Sequence, residues 1–359
     1  MRILIVDSFY DAVLRDVYAA RPGLAHADYT AQWRALMGTF FGTADSYSHY
    51  LKPLGHEAHE LVANAAPLQR AWAREQGSLT RLRLGPQSAR GWRDRVVLAQ
   101  FEGFRPDVVL LHNLSLLRSR TLDLMRRRSL LVGQIASELP PLERVRAFDL
   151  ILTSFPHYVD RIARAGTKSA YLRLGFDPRV IDRLGPVPRR VPVAFVGSLR
   201  RSQHGLGNAL LERAGARVPV EFWGPGADSW PAGSPIVRSH RGHAWGLDMY
   251  RVLASARIAL NRHIDVAEDH ANNMRLYEAT GVGTLLVTDR KSNLGDLFDV
   301  GTEVVAYRDE DDLVELVQRY LDDEDACRRI AEAGQARTLR EHTWAHRMQE
   351  LVEILEGHV

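Results

Sequence analysis

Short apolar runs recur along this chain, each followed by a stretch of helical periodicity, and nothing else in the sequence constrains its fold as strongly. Residues 3–6, 58–62, 108–111, 130–135 and 150–152 read as strands in the first half. Residues 193–196, 220–223, 236–238, 258–260 and 284–288 read as strands in the second. Nearly continuous apolar strands that alternate with helices are buried on both faces, which predicts an α/β class built on parallel sheets. The 359 residues suit two domains of ordinary size. The segment GPVPRRVP, residues 185–192, holds three prolines and one glycine and reads as the join. The expected division is 1–186, 187–340 and a C-terminal helix over 341–359.

Composition narrows the class further. Hydrophobic residues make up 45% and charged residues 25%, as in a globular protein with substantial cores. The opening MRILIVDSFY has only four apolar residues in a row before Asp7, which predicts a core strand and not a signal peptide. A single cysteine, Cys327, excludes an internal disulfide framework and fits a reducing cytoplasm. A net charge of +3 is too small for a nucleic-acid binder but allows anionic ligands or peripheral contact with acidic lipids. His240 with His243, or His263 with His270, lack cysteine partners and no HExxH is present, so no metal is expected.

Beyond the strand ends come polar residues and glycines, where ligands bind in open α/β sheets. Asp7-Ser8 follow the first strand, His112-Asn113 the third and Ser137-Glu138 the fourth. Gly197-Ser198, Gly224 and Asn261-Arg262-His263 follow strands of the second half. In FVGSLRRSQHG, Gly197 permits close backbone approach and Arg200 or Arg201 offers a clamp for phosphate. Neither GxxxxGK[ST] nor, after the first strand, GxGxxG occurs.

In NNMRLYEATGVGTLLVTD, residues 272–289, Asn272 or Asn273 can cap a helix that ends in a turn at Gly281 and Gly283. Arg275 lies in its first turn, the positive pole, where a cation calls for an anion in front of it. A diphosphate is one such anion, with Glu278 then placed for ribose hydroxyls. An Arg275–Glu278 ion pair is the bland alternative. Downstream, Leu313 to Leu321 repeat at helical spacing, and a helix carrying Cys327 and Ile330 is expected to stop at Gly334. Thr343 reads as the cap of a last amphipathic helix. The aromatics between Tyr29 and Tyr50 read as packing, with stacking on an acceptor sugar as the alternative.

The run from NNMRLYEATGVGTLLVTD through REHTWAHRMQELV, together with LNRHI, FVGSLRRSQHG and FFGTADSYSHYLKPLGHEAHELVAN, resembles CgeB-like glycosyltransferases, relatives of glycosyltransferase family 4. The resemblance implies a GT-B fold, with two Rossmann-like domains facing a cleft and a C-terminal helix crossing back. It implies a nucleotide-diphosphate sugar as donor, bound by the C-terminal domain, and a hydroxyl acceptor bound by the N-terminal domain, with no cofactor and no metal. It places Glu278 on the donor ribose, Arg275 with Arg200 or Arg201 on the diphosphate, and the Gly281 turn beside the donor; with the strand-end and helix residues Gly197, Ser198, Gly224, Asn261, His263, Asn273 and Leu276 these make up the expected donor site. One position departs from the family pattern: the glutamate usual eight residues before Glu278 is His270 here. For an inverting reaction a base is required, and Glu138, Asp45 and His112 are the candidates. For a retaining one the departing phosphate takes the proton. A catalytically silent nucleotide-sugar-binding protein and an epimerase are the other readings.

Overall fold

The computed structural model describes residues 1–77, 89–201 and 205–359. Two compact units emerge, one formed by Met1–Arg173 with Arg347–Val359 and the other by Leu174–His346. In the first, strands β1 (Arg2–Asp7), β2 (Glu57–Val62), β3 (Val108–Leu111), β4 (Leu130–Ile135), β5 (Leu150–Thr153) and β6 (Lys168–Tyr171) form one sheet in the order β2-β1-β3-β4-β5-β6. In the second, β7 (Val191–Val196), β8 (Val220–Trp223), β9 (Ala256–Leu260), β10 (Leu285–Asp289) and β11 (Val305–Tyr307) run in the order β11-β10-β9-β7-β8. All these pairings are parallel. The apolar runs that define the strands are the cores: Ile3 to Val6, Val108 to Leu111 and Leu285 to Val287 are all buried.

Each sheet has a point where strand order reverses. In the first unit β1 leads outward to β2 on one side and β3 lies on its other side. In the second, β8 and β9 flank β7 in the same way. Helices of consecutive crossovers diverge at such a point and leave a crevice beyond the carboxyl ends of the strands.

Three expectations need correction. Residues 236–238 are not a strand but lie in the short helix Pro235–Arg238. Ser234 accepts from the Ile236 amide and Pro235 occupies the first turn, so cap chemistry prevails over a brief apolar run. Gly334 does not end a helix, which runs on through Glu324–Glu341. A side chain at 334 would meet the Glu303 carbonyl, so the glycine serves close packing. Residues 185–192 are not irregular throughout, because Val191 and Pro192 begin β7, and the segment lies within the second unit. Arg189 ties the remainder down by donating to the carbonyls of Ala256 and Gly283. β6 and β11 went unpredicted. β6 reads KSAY at a sheet edge with no fully buried residue, and β11 has only three residues.

The first unit is closed by residues beyond the second. Arg173 binds Glu350 at 2.9 Å, and the wholly buried Arg347 binds the same carboxylate at 2.5 Å. Where the chain enters and leaves the second unit, Phe176 pairs in parallel with Thr343. The Phe176 amide donates to the His342 carbonyl at 2.8 Å, and the Trp344 amide to that of Phe176 at 2.9 Å. Among the described residues no helix is long and apolar enough to cross a membrane.

Candidate functional site

At the reversal point of the first sheet, Asp7 ends β1 and His112 follows β3, side by side. His112 Nδ1 lies 3.2 Å from Asp7 Oδ2. The other oxygen, Oδ1, accepts from the Ser8 amide at 2.6 Å. A carboxylate facing Nδ1 places the proton on that nitrogen, which leaves Nε2 as a lone-pair acceptor. Nε2 has no hydrogen-bond partner among the described residues. The ring is held edge-on by Tyr47 at 4.9 Å, whose hydroxyl donates to Gln134 at 2.7 Å. Burial, with the Asp7 charge nearby, pushes the Tyr47 hydroxyl far above its ordinary range despite the Gln134 bond, so it stays neutral. Asp7, His112 and Gln134 line a cavity of about 370 Å³ that also takes in Ser8, Asn113 and Glu138, with Tyr47 packed behind His112. That volume is at the lower end of the roughly 300–1,000 Å³ usual for small-ligand pockets.

Of the three candidate bases, His112 and Glu138 line this cavity, and Asp45 does not. Asp45 precedes the helix Ser46–Leu51 without capping it through its side chain. That role falls to Glu60 on β2, which accepts from the Ser48 amide at 2.7 Å and the Ser48 hydroxyl at 2.6 Å. Trp33 stacks on His59 and donates to the Glu60 carbonyl at 2.9 Å, so it belongs to this packing and not to the cavity. Asp7 was missed as a site residue. Its signal was present in the sequence, a carboxylate just after the first apolar run, but only strand order shows that it meets His112.

In the second unit the ends of β7, β8 and β9 bring most of the expected donor residues together. Gly224, at φ 134°, lies where any side chain would strike the Gly197 carbonyl. Gly226 approaches the Arg200 backbone in the same way. Arg200 and Arg201 are exposed. The Arg201 guanidinium lies 5.5 Å from the Trp230 ring centroid. Ser202 to His204 of the same motif lie outside the described residues. Ser198 Oγ is buried without a partner. Arg262 is committed, donating to Asn208 at 2.6 Å and to the Ser198 carbonyl at 3.3 Å.

The helix Met274–Gly281 starts as expected. Asn273 accepts from the Leu276 amide at 3.2 Å and donates to Asn261 at 2.9 Å. Leu276 itself is core. Arg275 meets an anion of its own chain: it binds Glu278 at 2.6 Å and donates to the Val196 carbonyl at 3.0 Å. Burial pushes the Glu278 carboxyl up, while Arg275 and a hydrogen bond from Tyr250 pull it back. Beside this helix His263 Nδ1 lies 2.6 Å from Asp289 Oδ1, which also accepts from the His263 amide at 3.0 Å. Burial raises the Asp289 carboxyl, but the His263 bond and the Lys291 ammonium at 3.3 Å outweigh it, and the carboxyl is held below its ordinary range. His263 Nε2 and Asn272 Nδ2 are buried without partners. Asn272 was anticipated only as a helix cap and Asp289 only as a polar strand end, and Tyr250 was not anticipated.

The chain matches solved structures over nearly its whole length. Anabaena Alr3699/HepE, in complex with UDP-glucose, is 14% identical, with 99% of this chain and 100% of that one covered and a TM-score of 0.60. Sucrose-phosphate synthase of Thermosynechococcus elongatus is 13% identical, with 99% of each chain covered and a TM-score of 0.60. A glycosyltransferase of Rickettsia africae is 11% identical, with 99% and 98% covered and a TM-score of 0.62. The fold is GT-B. A family model described as glycosyl transferase-like matches residues 200–353, the part of this GT-B chain that carries Arg200, His263, Arg275 and Glu278. No curated protein matches the sequence.

Proposed function

We propose that this GT-B protein is a glycosyltransferase that moves a sugar from a nucleotide-diphosphate donor, held by the second unit, to a hydroxyl acceptor held by the first. The observation that carries the reading is His112: a histidine aligned by a carboxylate, with its second nitrogen unpartnered, in a polar cavity at a sheet's reversal point. The glycosyl transferase-like match to the second unit and the UDP-glucose bound by a structural neighbour support the choice of donor.

In this reading the acceptor hydroxyl gives its proton to His112 Nε2, and the imidazolium that forms is stabilised by Asp7. The acceptor oxygen bonds to the anomeric carbon as the bond from that carbon to the diphosphate oxygen breaks. Charge grows on the diphosphate. Arg200, Arg201 and the amides at the start of the helix Met274–Gly281 receive it without a metal. Arg275 and Glu278 form the floor of the donor site, and Glu278 would meet ribose hydroxyls only by exchanging one of its present bonds from Arg275 and Tyr250. Direct displacement by a base-activated hydroxyl inverts the anomeric configuration. Glu138 acts as a second contact to the acceptor.

Thermal unfolding against a panel of nucleoside diphosphates and nucleotide sugars tests the donor site. A true ligand at a hundred times its Kd adds about 2.7 kcal/mol of stability. Arg200→Ala should diminish that shift. If no nucleotide raises the melting temperature of the native chain, the reading fails.

A further inference from the structure

The first-unit cavity has a lining whose chemistry selects among acceptors. Its charged side chains among the described residues are the carboxylates of Asp7 and Glu138, and it contains neither lysine nor arginine. Besides His112, the other polar side chains are neutral and directional: the Ser8, Ser115 and Ser137 hydroxyls and the Asn113 and Gln134 amides. Hydrogen-bonding groups of this kind, both donors and acceptors, match hydroxyls, which also do both.

Tyr10 completes the lining. It is 62% exposed, and its ring is set edge-to-face on Phe41 at 5.2 Å, which packs in turn on Phe9 at 5.1 Å. Phe9 is buried, so the exposed ring is anchored from below. A large aromatic ring left largely in water at the mouth of a polar cavity is stabilised when an apolar surface covers it. A ligand with an apolar face supplies that cover. The C–H face of a sugar ring is such a surface, and its hydroxyl edge suits the groups within.

We propose that the acceptor is an uncharged sugar, lying with its C–H face on Tyr10 and its reacting hydroxyl towards His112, and that sugars bearing phosphate or carboxylate are excluded. This rests on the assignment of the cavity to the acceptor. An anionic sugar would bring its charge to two carboxylates with no cation to offset them, and like-charge juxtaposition disfavours the wrong partner.

Saturation-transfer NMR on the full chain provides the test. The probes are the methyl glycosides of glucose, galactose and mannose, with glucose 6-phosphate and glucuronate as anionic counterparts and UDP as a donor-site control. At least one methyl glycoside should receive saturation, and the two anions should not. Tyr10→Ala should weaken that glycoside roughly three- to tenfold, the range of a lost aromatic contact. Glu138→Gln should improve binding of glucose 6-phosphate. The proposal is overturned if glucose 6-phosphate or glucuronate binds the native chain as well as the methyl glycosides do, or if Tyr10→Ala changes nothing. It is also overturned if UDP binds and none of the sugars does, an outcome that leaves the donor reading standing. If no nucleoside diphosphate of the thermal panel and no sugar binds, both readings fall together.

Discussion

Each unit holds a histidine whose Nδ1 faces an aspartate at the carboxyl end of a neighbouring strand, and in each the Nε2 has no partner among the described residues. The two pairs nevertheless differ. His112 and Asp7 are 3.2 Å apart, with side chains 13% and 19% exposed, beside a cavity. His263 and Asp289 are 2.6 Å apart, and the His263 side chain is wholly buried. Asp7 takes one further bond, from the Ser8 amide. Asp289 is also engaged by the His263 amide, Thr288 and Lys291. A histidine beside a cavity, with a lightly committed carboxylate behind it, can exchange a proton. One enclosed by a saturated carboxylate and a lysine presents a fixed hydrogen-bonding atom. The same residue pair thus suits chemistry in one unit and positioning in the other.

The largest expected effect separates these roles. His112→Gln should lower the rate of sugar transfer by roughly 10²- to 10⁴-fold, the usual worth of a general base, while nucleotide binding is unchanged. His263→Gln should act chiefly on KM for the donor. Steady-state kinetics with the donor varied decides between them, and equal effects on kcat from both would erase the distinction.

Next is the buried pair in the second unit. Arg275→Ala leaves Glu278 buried without its cation, and denaturant unfolding should show a loss of about 3–5 kcal/mol. Arg275→Met combined with Glu278→Gln removes both charges and should recover most of it. If Arg275→Ala is nearly as stable as the native chain, the pair is not holding the helix Met274–Gly281 in place.

The first unit has its own buried carboxylate, and here pH is the probe. Burial raises Glu60 from an ordinary 4.5 to about 7, against the two bonds from Ser48. The native state therefore holds a proton there that the unfolded chain has already released. Stability should be greatest below about 4.5 and should fall as pH rises through about 7, by up to about 3 kcal/mol. Melting curves across that window should show the slope in the native chain and lose it in Glu60→Gln. The smallest effect concerns the helix cap. Asn273→Ala should cost about 1 kcal/mol in chemical denaturation, with a matching loss of donor affinity only if the amides of that first turn bind the diphosphate.

The strands with continuous apolar runs were legible because burial on both faces demands such runs, and β6 was not because KSAY lies at an edge where water supplies half its surroundings. His112 and Glu138 were legible as polar residues just past apolar runs. Their convergence with Asp7 was not, since β1 and β3 are separated in sequence by β2 and only the reversal in strand order makes them neighbours. Arg275 shows the opposite case. Its spacing from Glu278 allowed an ion pair or a ligand contact, and local sequence cannot say that Val196, from another strand, completes its surroundings.

The pairing of Phe176 with Thr343 has a consequence for how the chain is made. The second unit is bounded by residues that bind each other, so all of it can be finished once His346 has left the ribosome. The first unit was begun earlier and still lacks Arg347–Val359. Synthesis proceeds at about 5–20 residues per second, and domains tend to fold as they emerge. The earlier unit must wait, incomplete, while the later one matures. Protection during translation would matter most for the half that contains His112, and a released chain truncated just before Arg347 should show a protease-resistant second unit beside a labile first.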